Sequence, residues 1–242
     1  MSRNKFRKLS KKKSSYASNK IEGNPLTEAQ VDKAIDDDSH RHFMKPEQEV
    51  RNYYLALDFL EQKLKEKEVF SKDLLLQVQV LVETGAADYI PPEYSEVPEL
   101  IDELVEYVNT TDDHPLIIAA IVHYQLVTIH GFEDGNGRTA RLMSGYILDY
   151  YGYGFDGIGS LEEYFAYDSE EYYSKLQMGL PALYYSGRDN PPHPEIWIGY
   201  FLRMVELYST KVWQLSVEIR DEDIAGGRII EIMEERRRTR AH

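Results

Sequence analysis

Apolar side chains recur every three or four residues along most of this 242-residue chain, the spacing of one face of an α-helix. Between residues 46 and 68 the stripe is Val50, Tyr53, Leu57, Leu60 and Leu64. Ser71 then precedes Leu74, Leu75, Val78 and Leu81, a cap followed by a second stripe. Pro98 opens a third, with Leu100, Ile101, Leu104, Val105 and Val108. Residues 195–219 carry Trp197, Phe201, Met204, Val205, Tyr208 and Val212 at the same spacing. Thr27 with Gln30, and Ser160 with Glu163, have capping-box spacing. They predict helices over 27–36 and after 160, with residues 169–178 continuing helically. Residues 83–98, with Gly85 and Pro91-Pro92, read as loop. Strand-like alternation is confined to Gln77-Val78-Gln79-Val80, which is short.

One segment departs from the amphipathic pattern. Pro115 opens a helix through Ile129 or His130 whose apolar residues surround its axis: Leu116, Ile117, Ile118, Ala119, Ala120, Ile121, Val122, Leu126, Val127 and Ile129. A helix apolar on all sides belongs at the centre of a bundle. A glycine-rich turn follows at 131–137, then a helix over 138–151 closed by Gly152. The fold class is all-α, with a buried central helix feeding a glycine turn.

Composition narrows the chemistry. The chain has no cysteine, which excludes disulfides, a thiolate nucleophile and Cys-ligated zinc. No apolar run approaches the roughly 18 residues that cross a bilayer, and no apolar segment follows the basic N-terminus as an export signal would. These features predict a cytoplasmic protein with no membrane contact. The net charge of −14 speaks against a nucleic-acid polymer as partner. Residues 1–13 nevertheless carry seven basic side chains and no acid, leaving 21 basic against 42 acidic residues elsewhere. Such a run reads as a solvated, disordered tail, with contact to an acidic partner or nucleic acid as the alternative.

Residues 130–141, HGFEDGNGRTAR, concentrate the candidate chemistry. Gly135-Asn136-Gly137 lets the backbone adopt positive φ and aim successive N–H groups into one concavity. The helix that begins next points its positive dipole end at the same place. Arg138 and Arg141 are three apart and share a face, which suits a polyphosphate. Asp134 is a hard oxygen ligand of the kind Mg²⁺ takes. His130 is placed to take a proton from a hydroxyl, and Phe132 to pin the loop inward. A plain helix connector with surface arginines is the alternative for these same residues.

The segment resembles the Fic family signature, His-x-Phe-x-(Asp/Glu)-Gly-Asn-Gly-Arg-x-x-Arg, at every defined position, with Gly131 where Pro is frequent. Val97-Pro98-Glu99-Leu100, His114-Pro115-Leu116-Ile117 and Trp197 with Tyr200-Phe201-Leu202 extend the resemblance to residues 14–215. It implies a helical Fic-type bundle that transfers AMP from ATP to a Tyr, Thr or Ser hydroxyl of a target protein, releasing pyrophosphate. His130 would then be the general base, Asp134 the Mg²⁺ ligand, and Gly135, Asn136 and Gly137 the anion hole. Arg138 and Arg141 would hold the β- and γ-phosphates, and Tyr173 would line the adenine pocket. The family's β-hairpin flap would have to be short here, since residues 78–92 leave little room for it.

The resemblance also implies a brake. Ser18-Asn19-Lys20-Ile21-Glu22-Gly23 matches the family's inhibitory pattern, (Ser/Thr)-x-x-x-Glu-(Gly/Asn), on a short helix ended by Gly23-Asn24-Pro25. Glu22 would pair with Arg141 in a bidentate geometry and keep ATP in a nonproductive pose. The expected organisation is a tail at 1–13, an inhibitory segment at 14–26, a catalytic core at 27–220 and a helical extension at 221–242. Transfer of another phosphate-containing group, removal of AMP from a target with the help of Glu22, and a nonenzymatic ATP-sensing regulator are the alternatives. Self-modification and a homo-oligomer stay open.

Overall fold

A computed structural model describes residues 3–36, 43–83, 95–180 and 193–239. Among them the chain forms ten α-helices, one 3₁₀ turn and no strand. Of the residues left for a flap, 78–92, residues 78–82 are helical and 84–92 lie outside the described set.

The apolar helix α6 (Pro115–Ile129) buries Ile118, Ala119, Ala120, Val122, Leu126 and Ile129, and packs along α7 (Asn136–Tyr150). Helix α5 (Val97–Thr110) covers another of its sides through Ile101, Leu104 and Val108. Trp197, on α10 (Pro194–Thr239), is 1% exposed and donates its indole N–H to the Ala120 carbonyl at 2.8 Å. That bond lets a large amphipathic ring sit in an apolar core with its polar atom satisfied. Helix α7 closes with the Schellman pattern: Gly152 at φ +85°, its N–H to the Asp149 carbonyl, and the Tyr153 N–H to Leu148. Helix α10 continues well past residue 219, to Thr239.

Helix α3 (Lys45–Glu66) buries Val50, Tyr53, Ala56 and Leu60. Ser71 caps α4 (Lys72–Val82) by accepting from the Leu74 N–H at 3.1 Å. The alternating Gln77–Val80 stretch is therefore helical: Leu74, Leu75, Val78 and Val82 form a buried stripe at helical spacing. Thr27 and Gln30 satisfy one another's backbone N–H groups at the start of α2 (Glu28–Asp36).

The basic N-terminal run corrects the expectation of a disordered tail. Residues 3–13 are the first half of α1 (Arg3–Ile21). Arg7 pairs with Glu61 at 3.1 Å, Lys8 with Asp36, Lys11 with Asp58 and Glu61, Lys12 with Asp32 and Asp36, and Lys13 with Glu163 at 3.0 Å. The acids come from α2, α3 and the start of α8 (Glu162–Tyr167). Local charge counting sees seven like charges; the fold pairs five of them with carboxylates from distant segments. The face of α1 turned to the core is Ser10, Ser14, Ala17, Ser18 and Ile21, mostly polar. Ser14, Ser160 and Tyr53 all donate to the buried Glu162 carboxylate at 2.9 Å.

Helix α1 thus docks mainly by ion pairs and hydroxyls, each exposed pair contributing about 1 kcal/mol or less. Raising salt to about 1 M, where the screening length falls to about 3 Å, should quicken amide hydrogen exchange along residues 3–13 while α6 is unchanged. Exchange in α1 that ignores salt would show that the pairs do not hold it.

Candidate functional site

His130 is the residue on which α6 ends. Its backbone is left-handed, φ 49° and ψ 46°, and its N–H still bonds back to Leu126. A non-glycine residue in that region is strained by about 1 kcal/mol, and here the turn projects the imidazole at the mouth of the loop. Nδ1 lies 3.1 Å from the Val127 carbonyl, an acceptor only, so Nδ1 carries the proton and Nε2 the basic lone pair. Burial pushes the imidazole below its ordinary range; the Val127 bond and the carboxylates of Glu22 and Asp134 partly oppose this.

The loop is tied by side chains. Asn136, 3% exposed, accepts from the Phe132 N–H at 3.1 Å and donates to the Phe132 carbonyl at 2.7 Å. Phe132 packs against the core as expected. Gln79 of α4 donates to the Asp134 carbonyl at 2.5 Å and accepts from Thr139 at 2.7 Å. Sequence reasoning missed this anchor. Its signal is a glutamine at position i+4 from Leu75 and i−3 from Val82, a polar side chain in a buried register.

Helix α7 begins at Asn136, two residues earlier than expected, because within the Gly-Asn-Gly turn only Gly135 takes a positive φ, +81°. Gly137 is already helical and is needed for space: a Cβ there would lie 2.4 Å from Glu22 Oε1. The Glu22 carboxylate therefore lies against the first turn of α7, where the helix dipole and unbonded N–H groups favour an anion.

Arg138 and Arg141 face different partners. Arg138, 3% exposed, donates from Nη2 to Asp134 Oδ2 at 2.8 Å. Arg141, 2% exposed, reaches α1: Nε donates to Ser18 Oγ at 2.8 Å, and Nη2 to the Ser18 carbonyl at 3.1 Å and to Glu22 Oε1 at 2.5 Å. Nη1 donates to Tyr172 Oη at 3.3 Å. Burial alone would depress the guanidinium; Glu22 and the surrounding tyrosines outweigh it and hold the charge firmly. The Glu22 pairing is not bidentate, since Ser18 takes the Nε side of the fork. Ser18, on the last turn of α1, and Glu22, the first residue past it, thus grip one arginine together.

Tyr173, on α9 (Ser169–Gln177), is 43% exposed and donates its hydroxyl to the Ile21 carbonyl at 3.1 Å. Burial holds that hydroxyl protonated, with Glu22 adding to the effect. The structure thus gathers His130, Asp134, Gly135, Asn136, Gly137, Arg138 and Arg141 on one loop–helix unit. It brings Ser18, Glu22 and Tyr173 to its Arg141 side.

These features define an all-helical domain built round a loop–helix unit whose Arg141 is bonded by a glutamate just past the N-terminal helix. Residues 38–148 match the Fic/DOC family. The matched span holds the loop and most of α7 but neither α1 nor α9. The chain is 32% identical over 162 residues to "Protein adenylyltransferase Fic" of Drosophila willistoni, covering 57% of this chain and 32% of that protein. It is 40% identical over 65 residues to the protein of the same name in Nematostella vectensis, covering 26% of this chain and 15% of the relative. The chain spans about a third of the length of the Drosophila relative, 32%.

Among solved structures, a Fic family protein from Desulfovibrio desulfuricans G20 superposes with a TM-score of 0.70 at 24% identity, covering 87% of this chain and 66% of that one. A Fic domain containing signaling protein from Bacteroides thetaiotaomicron VPI-5482 gives 0.66 at 22%, covering 90% and 89%. At these identities the likeness is one of fold.

Proposed function

We propose that the chain is a protein adenylyltransferase restrained by its own α1, moving AMP from ATP to a Tyr, Thr or Ser hydroxyl of a target protein with loss of pyrophosphate. The observation that carries this reading is the Glu22 carboxylate resting on Arg141 and against Gly137, a built-in anion where a phosphate would sit. The relatives named protein adenylyltransferase support the reaction class.

His130 Nε2 takes the proton of the attacking hydroxyl, because Nδ1 is committed to Val127. The oxygen bonds to the α-phosphorus as the bond to the β-phosphate oxygen breaks. The start of α7 and Arg138 and Arg141 stabilise the charge that gathers on the phosphate oxygens. Tyr173 would flank the adenine once its bond to Ile21 is given up. Asp134 fits Mg²⁺ as a single carboxylate whose other ligands would be phosphate oxygens and water. Among the described residues no group of three metal-binding side chains competes with it as a protein cage. When bound, the ion would neutralise phosphate charge and orient the leaving group.

The Glu22→Gly protein, incubated in parallel with ATP labelled at the α- or the γ-phosphorus, tests the chemistry. Label retained on protein from the α position alone is expected. Retention of γ label would make it a kinase-type transfer, and no label from either would leave ATP sensing as the function.

The lowered proton affinity of His130 sets the pH profile. The neutral base persists below the ordinary imidazole range near pH 6.5, so transfer should fall only at more acidic pH. Removing Glu22 removes a charge that favours the protonated form, so the acid limb should move further down in Glu22→Gly. A limb at or above the ordinary imidazole value would contradict this.

A further inference from the structure

Arg141 is held by a second set of bonds that owes nothing to α1. Its Nη1 lies 3.3 Å from Tyr172 Oη; Tyr172 Oη lies 2.9 Å from His123 Nε2; His123 Nδ1 lies 3.3 Å from Ser144 Oγ; and Ser144 Oγ donates to the Arg141 carbonyl at 3.0 Å. The four contacts form a closed ring that leaves the guanidinium of Arg141 and returns to its backbone. It crosses from α7 to α9 and α6.

Counting protons gives the ring one direction. Ser144 has a single hydroxyl hydrogen, spent on the Arg141 carbonyl, so it accepts from His123. Nδ1 of His123 is therefore the protonated nitrogen and Nε2 the acceptor. Tyr172 must then donate to Nε2, which leaves its oxygen lone pairs for the Arg141 N–H. Each hydrogen has one place to go.

We propose that His123, as its Nδ1–H tautomer, and Tyr172 are positioning residues that keep Arg141 aimed at the phosphate site whether or not α1 is docked. The proposal rests on the reading of Arg141 as a phosphate ligand. A satisfied core histidine needs only two partners of any origin. This one is built into a loop that begins and ends on the arginine the site depends on. The surroundings fix it further. His123 is fully buried, with its ring 4.9 Å from that of Trp197 and edge-on to Phe165 and Phe201 at 5.6 and 6.0 Å, so the imidazole has no room to flip. Burial, and then the charge of Arg141, keep it neutral, as the ring requires. An arginine already oriented loses less side-chain freedom when phosphate arrives.

The test uses the Glu22→Gly protein and two readouts. Calorimetry compares ATP with AMP, which lacks the phosphates that Arg141 would hold. Tyr172→Phe should weaken ATP about tenfold, the effect of losing one hydrogen bond to a charged group, and His123→Phe about fivefold, the effect of losing the neutral bond that orients the Tyr172 hydroxyl; both should leave AMP within about twofold. His123→Gln keeps an acceptor near the Nε2 position and should recover most of the ATP affinity. Nitrogen-15 NMR, with His123 assigned by the signal missing in His123→Gln, should show protonated Nδ1 and bare Nε2.

Equal losses for ATP and AMP, full ATP affinity in Tyr172→Phe, or a protonated Nε2 would each overturn the proposal. If Glu22→Gly itself binds ATP no more tightly than AMP, the phosphate role of Arg141 fails and the positioning role with it. The tautomer would then still report whether the ring exists as drawn.

Discussion

Replacing Glu22 by glycine is expected to raise self-labelling with α-labelled ATP by at least about tenfold while leaving the fold intact. The size follows from where the carboxylate sits. A unit charge at about 4 Å from a phosphate costs about 4 kcal/mol at an effective dielectric of 20. The Glu22 side chain is 36% exposed, which screens part of that cost, and each 1.4 kcal/mol retained is a factor of ten. Loss of the Arg141 contact adds to it, since a guanidinium bonded at 2.5 Å to Glu22 must leave that partner before it can serve a γ-phosphate. The fold should survive because the buried arginine keeps Ser18 Oγ, the Ser18 carbonyl and Tyr172 as acceptors. It would not be left as an uncompensated buried charge. Equal labelling by the substituted and unsubstituted proteins would mean that Glu22 is no brake.

The second large effect is expected at His130. In the Glu22→Gly background, His130→Ala should lower AMP transfer by about 10²- to 10⁴-fold, the usual worth of a positioned general base. ATP affinity should stay within about twofold, because the phosphate groups meet the start of α7 and the arginines. Position 130 has a left-handed backbone, φ 49°, which alanine adopts with strain. His130→Asn is therefore the cleaner variant, as asparagine tolerates that conformation while lacking a base. Loss of transfer in both, with ATP binding kept in both, separates chemistry from backbone damage. Transfer that persists in His130→Asn would remove the histidine from the mechanism.

The tyrosine pair after the motif shows what the sequence could and could not reveal. Tyr172 and Tyr173 are adjacent on α9, and a helix turns adjacent side chains to different surroundings. Tyr172 is fully buried on His123 and Arg141, whereas Tyr173 is 43% exposed beside Ile21. Nothing in the letters Tyr-Tyr says which member goes inward. The Glu22–Arg141 contact was legible as a pairing, because the two motifs name the residues. Its shape was not: Ser18, on the last turn of α1, lies four residues before Glu22 and takes the Nε edge, which prevents the bidentate fork.

The helical stripes, the buried α6, the caps at Thr27 and Ser71 and the run from His130 to Arg141 were all determined by the sequence alone. Each depends on residues within a few positions of one another, where backbone geometry is enough to place them. The docking of Arg7, Lys8, Lys11, Lys12 and Lys13 on carboxylates up to 150 residues away, the Gln79 anchor under Asp134 and the ring through His123 and Tyr172 were decided by the tertiary structure. These are pairings of polar groups from distant segments. A charge or a hydroxyl has no period along the chain that names its partner, and its meaning appears only when folding removes it from water and requires that a partner be found.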